Sequence, residues 1–593
     1  MDIQALVPNT AASFTLRGGR YSYTAPEYPL SMLAPDGSWV DIDLDPSHAV
    51  IDLPPGTYRN VPVDIFLDSV NGSDSNSGAT PDQAVATVSA ITLTDGLSIG
   101  IARGSYFLEQ LGDTSGTIDN ITVIAYGTGV MPVFDGREVA SADGWTLSAG
   151  QTKTYQRTWT HDNVSGQFLS LWANDSRVRW YSSIANCEAA TGPAFYAATT
   201  SSGSTIVYYH PAGDLNPATD GVTVKISKRA HGIRAADGWT VRGMHTKCTL
   251  HNDGSLKAGN DCVIEDCLFE DGTKHNMFME ASIARRCGAW KCDWPERTNA
   301  TFFVGYTDNG VGKAVTFENC WVLGEQAQLT YAIGAAKGMD GFYAHNANGT
   351  DVWDTVTYEG CTSKLCTIGF TAASPSHQDV IRCKAEAVND GCLLTGPDAY
   401  AEDLWVLDGD VTKVRVSAQI NTGAVAVIDG LRAYTSRGGD NRGDVYNPNA
   451  ATVTLQNSVI RRVAGSTGTR WGLNSNTTAG VANINHCILQ YVVTTDIVYR
   501  RVTGVTGAAD NNNYYPDTCN FQVGATSYND FAAYKAANPT LDQASTTHDP
   551  QFTDPANGDW TIGNATLAAL GVGLDRDVTS RLYTPIPSNP GAL

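Results

Sequence analysis

Two short segments hold the residues best suited to acid–base chemistry. DGFYAH carries Asp340 and His345, and SPSHQD carries His377 and Asp379. Paired carboxylates are the machinery of glycosidic bond cleavage. One protonates the leaving oxygen while the other activates water or attacks the sugar. Histidines nearby can position or tune such a pair, or trade protons themselves near neutral pH. Asp340 and Asp379 form the leading pair, with His345 and His377 as supporting acid–base groups. The plainer alternative makes the aspartates turn formers and the histidines a stacked ladder.

A second cluster lies upstream in KHNMFMEAS and KCDWPERTN. It offers His275, Glu280, Asp293, Glu296 and Arg297. A base beside a charge-neutralising Arg would suit elimination; loop surface charge is the competing explanation. Trp290, Trp294, Trp353 and Tyr343 could stack on sugar faces, although Trp is equally at home in cores and subunit interfaces. No GxSxG elbow, P-loop or HExxH occurs, and no CxxC pair suggests a zinc site.

What could bring such residues together is a regular scaffold. Short runs such as CVIEDCLFE, VTFENCWVL, VTYEGCTSK, VTLQNSVIR and NINHCILQY alternate apolar and polar residues, then break at Asn, Asp or Gly. Aligned on that break, one small column reads Cys267, Cys287, Cys320, Cys361, Cys383, Leu404, Gly430, Ser458 and Cys487. Recurrence every twenty-odd residues is the mark of a solenoid, and the alternation makes it a β-solenoid. Cys suits an interior column because it is small, apolar and needs no partner. Asp266, Asn319, Asp403, Asp429 and Asn457 read as bend formers. The interval from Cys320 to Cys361 is either two rungs or one rung with a long loop. Along the solenoid, equivalent side chains on successive rungs stand about 4.8 Å apart. Carboxylates one or two rungs apart therefore span both glycosidase geometries.

Composition agrees with a turn-rich all-β chain. Of 593 residues, 58 are Gly and only 17% are charged. A net charge of −22 disfavours nucleic acid, whose phosphates need Lys and Arg. No apolar run is long enough for a membrane span. The stretch MDIQALVPNTAASF lacks the basic start and apolar centre of a leader, so synthesis in a reducing cytoplasm is expected. Helices are expected over Thr80 to Thr92 and Tyr528 to Asn538. Asp68, Asp74 and Asn76 could ligate calcium, but their spacing is not that of an EF-hand; no cofactor is expected, and turn formation is the preferred role.

Three segments in order resemble the right-handed parallel β-helix, pectate-lyase-like superfamily. FLDSVNGSDSNSGATPDQAVATVSAI is similar to an opening strand, turn and capping helix. The rungs follow, and HDPQFTDPANGDWTIGNATLAALGVG is similar to the closing segment. Within the rungs, Asp340 to Ala385 resembles a DGF…H, NG.t.HDg pattern of phage-borne β-helix proteins. It departs at Ala344, where an aromatic is usual, and at Gln378, which separates His377 from Asp379. The resemblance implies a bacteriophage tailspike or tail fibre, located in the virion. It implies a homotrimer that binds host cell-surface polysaccharide on its flank and attaches to phage tail or baseplate proteins through an N-terminal module. Depolymerisation by hydrolysis is the expected activity. The alternatives are a non-catalytic receptor-binding or structural tail component and, from a third class, a polysaccharide lyase. The expected divisions are 1–63 for the N-terminal β-rich module, 64–142 for the opening cap and first rungs, and 143–229 for a β insertion. Residues 230–505 would form the main β-helix with its glycan-binding flank, and 506–593 its close and tail.

Overall fold

The computed structural model describes residues 29–33, 39–43, 63–112, 117–162, 168–197, 203–292, 300–307, 313–335, 338–346, 355–373, 375–407, 416–421, 423–435, 443–447, 451–462, 471–475, 480–491, 496–557 and 559–569. Alternation decides its strands. In Thr355–Glu359, Val356 and Tyr358 are buried, while Thr355, Thr357 and Glu359 lie nearer the surface. Val425–Asp429, Thr452–Gln456 and Val481–Asn485 repeat the pattern. Each strand pairs in parallel with its counterpart one rung on, so Thr357, Asp379, Tyr400, Val427 and Thr454 form one column.

Three such stacks close around one core, and the fold is an all-β parallel solenoid. Among the described residues the first sheet has 14 strands, from Ile65–Leu67 to Ala509–Asp510. The second has 13, from Tyr106–Phe107 to Asn513–Tyr515, and the third also has 13, from Ile233–Ala235 to Thr526–Tyr528. The chain visits the first, second and third sheets in turn, then starts the next rung.

The corner from first to second sheet explains the small column. One residue adopts the left-handed conformation, as at Asp266, Arg286, Asn319, Gly360, Arg382, Asp403, Asn457 and His486. The next points inward. Asn and Asp tolerate this backbone better than most residues, hence their frequency at the break. The inward residues Cys267, Cys287, Cys320, Cys361 and Cys383 are buried, free thiols. Cys361 Sγ lies 3.3 Å from the Phe317 carbonyl and 3.4 Å from that of Glu359. Burial holds the thiols of Cys267, Cys287, Cys320 and Cys361 well above their ordinary pKa, which suits them to packing rather than to thiolate chemistry. Two residues differ from the sequence reading. Gly430, with φ of 81°, is itself the left-handed residue, and Leu431 fills the interior place. Asp429 ends the preceding strand and accepts from Gln456 Nε2 and Asn457 Nδ2.

The interval from Cys320 to Cys361 is a single rung, because Trp321–Leu323 pairs directly with Thr362–Lys364. Its extra length includes the helix Gln326–Gly334, between the second and third sheets. Inside the stack, Phe303, Phe342 and Phe370 lie ring on ring at 5.2 Å steps.

At the opening end, Thr80 to Thr92 forms no α-helix. Two 3-10 turns, Pro81–Gln83 and Val88–Ala90, take its place. Local carboxylates hold the backbone in turns instead. Asp68 Oδ1 accepts from the amides of Val70 and Asn71, and Asp74 Oδ1 from those of Ala86 and Thr87. Asn76 Nδ2 donates to the Ala84 carbonyl. At the other end the expected helix is present as Phe531–Ala537, capped by Asp530, whose carboxylate accepts from the Ala533 amide at 2.6 Å. Phe531 and Tyr534 close the core there.

Between the first rungs, strands from Arg137–Ala140 to Val224–Ser227 build a five-stranded and a four-stranded sheet around Trp145, Trp159, Phe195, Val207, Tyr209 and Ile226. This unit joins the solenoid where Trp172 Nε1 donates to Asp271 Oδ2 at 2.6 Å and the Arg177 guanidinium pairs with the same carboxylate. Near the C-terminus, the hairpin Phe552–Asp554 and Asp559–Ile562 lays Trp560 over Trp405, Leu407, Val459 and Ile488 of the second sheet. In the 1–63 segment, Pro29–Leu33 pairs antiparallel with Trp39–Asp43.

Candidate active site

The strand Met339–Asn346 lies in the third sheet, and its in–out alternation breaks near its start, which we call its kink. Met339, Gly341, Phe342 and Ala344 are buried, while Asp340, Tyr343 and His345 are partly exposed. The kink recurs one rung down at Ile368, Gly369 and Phe370, and again at Asp390, Gly391 and Cys392. Register fixes the alignment: Phe342 pairs with Phe370, which pairs with Cys392, and Ile368 pairs with Asp390. Glycine is required behind the aspartates because the rungs approach closely there. A Cβ on Gly341 would meet Ser363 Oγ at 2.3 Å, one on Gly369 the Gly391 carbonyl at 2.5 Å, and one on Gly391 the Ser417 carbonyl at 2.3 Å. These directions lead into the core, whereas Asp340 is partly exposed and Asp390 is buried. They occupy one column, two rungs apart, which puts their α-carbons about 10 Å from each other.

Thr367 binds both rungs. Its hydroxyl donates to Asp340 Oδ1 at 2.6 Å and accepts from the Met339 amide at 2.7 Å. Its own amide donates to the Met339 carbonyl at 2.7 Å, and its carbonyl accepts from the Asp390 amide at 2.8 Å. Burial pushes the Asp340 carboxyl up, the Thr367 hydroxyl pulls it down, and the Asp390 charge raises it again. With the Ile368 amide also favouring the ionised form, the balance is a pKa of about 6. Asp340 thus keeps its proton to a higher pH than an ordinary aspartate, the direction in which a general acid is tuned.

An aromatic strip continues from this point. Tyr343 stacks on His345 at 4.8 Å, and His345 meets Tyr306 edge-on at 5.2 Å. Tyr306 lies 4.7 Å from Phe278, and Phe278 lies 6.3 Å from the buried ring of His275. Lys257 Nζ caps Phe278 at 5.3 Å.

His377 and Asp379 do not join this column; they lie on the first sheet, in His377–Ile381. The physical reason is rung length. Phe342 falls opposite Phe370, and Ile368 opposite Asp390. Position 379 comes between those two turns of the coil and so falls on another sheet. There His377 bridges two carboxylates, with Nε2 2.9 Å from Asp379 Oδ1 and Nδ1 2.8 Å from Asp398 Oδ2. Burial lowers the imidazole pKa, but Asp398 and Asp379 outweigh it and raise the pKa overall. Gln378, the departure from the phage pattern, points inward. Its amide oxygen accepts from the Thr395 amide at 2.9 Å and its nitrogen donates to the Leu393 carbonyl at 3.2 Å.

Of the other candidates, Glu280 follows the third-sheet strand His275–Met279, and its Oε2 accepts from Asn260 at 3.2 Å. Trp290 sits on the second sheet, stacked on Trp321 at 6.2 Å, away from the Asp340 strip. Asp293, Trp294, Glu296, Arg297 and Trp353 lie outside the described residues. Asp390 and Thr367 were missed by sequence reasoning. A signal was present: Asp-Gly recurs before an inward residue in MDGFYAH and NDGCLLT, with TIGFTAA between them. Aligning the chain on its Cys column hid that second repeat. Among the described residues no group of three or more His, Cys, Asp or Glu side chains is placed to hold a metal ion.

No protein-family model matches the sequence, and no curated protein matches it. Solved structures do match. One is the lacto-N-biosidase of glycoside hydrolase family 136 from Eubacterium ramulus, in its native form 11% identical, covering 82% of this chain and 67% of that one, with a TM-score of 0.22. Its selenomethionine derivative is 10% identical over 82% and 66%, with a TM-score of 0.21. Another is the catalytic unit of a thermostable family 87 α-1,3-glucanase from Streptomyces thermodiastaticus strain HF3-3. It is 9% identical over 66% of this chain and 95% of that one, with a TM-score of 0.27. The chain spans about two thirds of the length of the lacto-N-biosidase. The likeness assigns no substrate.

Proposed function

We propose that this protein is a polysaccharide depolymerase that hydrolyses a host cell-surface glycan, with Asp340 as general acid and Asp390 as general base. One observation supports the reading above the others. A carboxyl whose pKa is raised to about 6 sits two rungs from a second carboxylate, beside a strip of Tyr306, Tyr343 and His345. An aromatic strip fits sugar faces, and a stack of equivalent rungs fits an extended chain. In the reaction Asp340 gives its proton to the glycosidic oxygen as the C–O bond breaks. Asp390 takes a proton from the water that attacks the anomeric carbon from the opposite side. Two rungs of separation fit the inverting class, whose wider carboxylate spacing leaves room for that water, better than the retaining class.

The wider setting rests on the resemblance of Asp340 to Ala385 to a pattern of phage-borne β-helix proteins, together with the non-repeat N-terminal module. It makes the chain a tailspike, trimeric in the virion, with residues 1–63 attached to the tail. Light scattering on the full chain tests the trimer.

The catalytic assignment is tested with purified surface polysaccharides of candidate hosts. Asp340→Asn and Asp390→Asn are each expected to lower reducing-end release at least a thousandfold while the glycan still binds. NMR of the first product should show inverted anomeric configuration. Normal cleavage by both variants would remove the assignment. Binding without cleavage by the wild type would make the protein a receptor-binding component, and an unsaturated, ultraviolet-absorbing product would make it a lyase.

A further inference from the structure

The Thr367 hydroxyl is held by more than its contact with Asp340. Oγ1 already accepts the Met339 amide hydrogen at 2.7 Å, and the Thr367 amide returns a bond to the Met339 carbonyl at 2.7 Å. Thr367 is buried, and its carbonyl holds the Asp390 amide. A hydroxyl has one hydrogen. With Met339 supplying the hydrogen that Oγ1 accepts, its own hydrogen lies along the 2.6 Å contact to Asp340 Oδ1. That oxygen is committed as an acceptor. When Asp340 is protonated, the proton belongs on Oδ2.

We infer that Thr367 is a positioning residue for the proposed hydrolysis: it fixes Asp340 Oδ1 as a hydrogen-bond acceptor and so directs the transferable proton to Oδ2, while its carbonyl sets the height of the Asp390 rung. The inference rests on the reading of Asp340 as general acid. The step is a simple transfer. Oδ2–H gives its proton to the glycosidic oxygen, the C–O electron pair leaves with that oxygen, and Oδ2 keeps the negative charge. Thr367 then bonds the new carboxylate more strongly than the acid, because a charged acceptor forms the stronger hydrogen bond. It therefore favours proton release at the transition state and limits how far burial raises the Asp340 pKa.

Besides Thr367, the Ile368 amide bonds the Asp340 carboxylate and favours its ionised form. Asp390, two rungs down, raises its pKa. Tyr343 on the same strand and the buried Cys366 thiol beside Thr367 both feel the Asp340 charge. Thr301, paired with Asp340 one rung up, is neutral.

The test compares Thr367→Val, Thr367→Ser and Asp340→Asn in the full chain on the polysaccharide the wild type cleaves. Val keeps the shape and removes the hydroxyl. It is expected to move the alkaline limb of the kcat/KM profile upward by about one pH unit, as expected when a bond to the ionised form is lost. kcat should fall about tenfold at neutral pH with KM little changed, and Ser should restore both. A role in packing alone would lower the rate without moving the limb. Unchanged limb and kcat in Thr367→Val, with Asp340→Asn inactive, would overturn the inference and leave the general acid standing. Full activity in Asp340→Asn would overturn the general acid itself. If Thr367→Val does not fold, Thr367→Ala reads the same limb.

Discussion

Asp340 holds two properties in tension. Ionised, it is a desolvated charge close to Asp390; protonated, it is a poised acid. Its pKa lies at about 6 against an ordinary 3.8, so the folded state prefers the protonated form. The associated stability is fully present below pH 3.8 and is lost as pH rises through 6. Asp340→Asn removes that cost. The variant should therefore be more stable than the wild type at pH 7 to 8, by about 2–3 kcal/mol. The gain should vanish below about pH 4, as read from urea unfolding at both ends of the range. A gain that did not depend on pH would mean that Asp340 is not a strained carboxylate. Asp340 stood out in the sequence as part of DGFYAH. The proposed partner Asp390 did not, because the choice of Asp379 rested on the likeness of SPSHQD to the phage-borne pattern, whereas a solenoid pairs by rung. Rungs of unequal length carry Asp390 into register and leave Asp379 bound to His377.

At the level of elements, the glycine column sets the geometry of the pair. Gly341, Gly369 and Gly391 let three kinked strands nest with carbonyl oxygens where side chains would otherwise be. Gly369→Ala would put a Cβ 2.5 Å from the Gly391 carbonyl oxygen, which no rotamer relieves. The rung that carries Asp390 must then move. Urea unfolding should show a loss of about 1–3 kcal/mol, and kcat should fall at least tenfold because reacting groups tolerate little displacement. Wild-type kcat in a folded Gly369→Ala would show that the spacing of the two aspartates is not critical. The first-to-second sheet corners were legible in the sequence, since a left-handed residue followed by an inward small one is a strictly local requirement. Gly430 and Asp429 were misread by one position because Gly serves equally as a small residue and as a left-handed one. The helix expected over Thr80 to Thr92 failed for a different reason. The amides of Ala86 and Thr87, in the middle of that span, are taken by the Asp74 carboxylate from across the turn.

For the whole molecule, one continuous core runs through the solenoid from Leu67 to Leu541, while the inserted unit and the C-terminal hairpin each bury a cluster of their own. Trp560 anchors the hairpin on the second sheet, away from the third-sheet site. Trp560→Ala should cost about 3–5 kcal/mol and lower the unfolding midpoint while leaving kcat of the folded protein unchanged. A large loss of kcat at permissive temperature would instead couple this hairpin to the site. The sequence by itself determined the all-β solenoid, its Cys-lined corner and the closing helix, and it singled out Asp340 as a candidate. All of these follow from alternation, small-residue recurrence and backbone preference, which act within a few residues. Only the tertiary structure decided which carboxylate faces Asp340, which hydroxyl orients it, and which aromatics lie beside it. Those relations depend on the length of every intervening turn, and on a desolvation that no side chain experiences until the rungs are stacked.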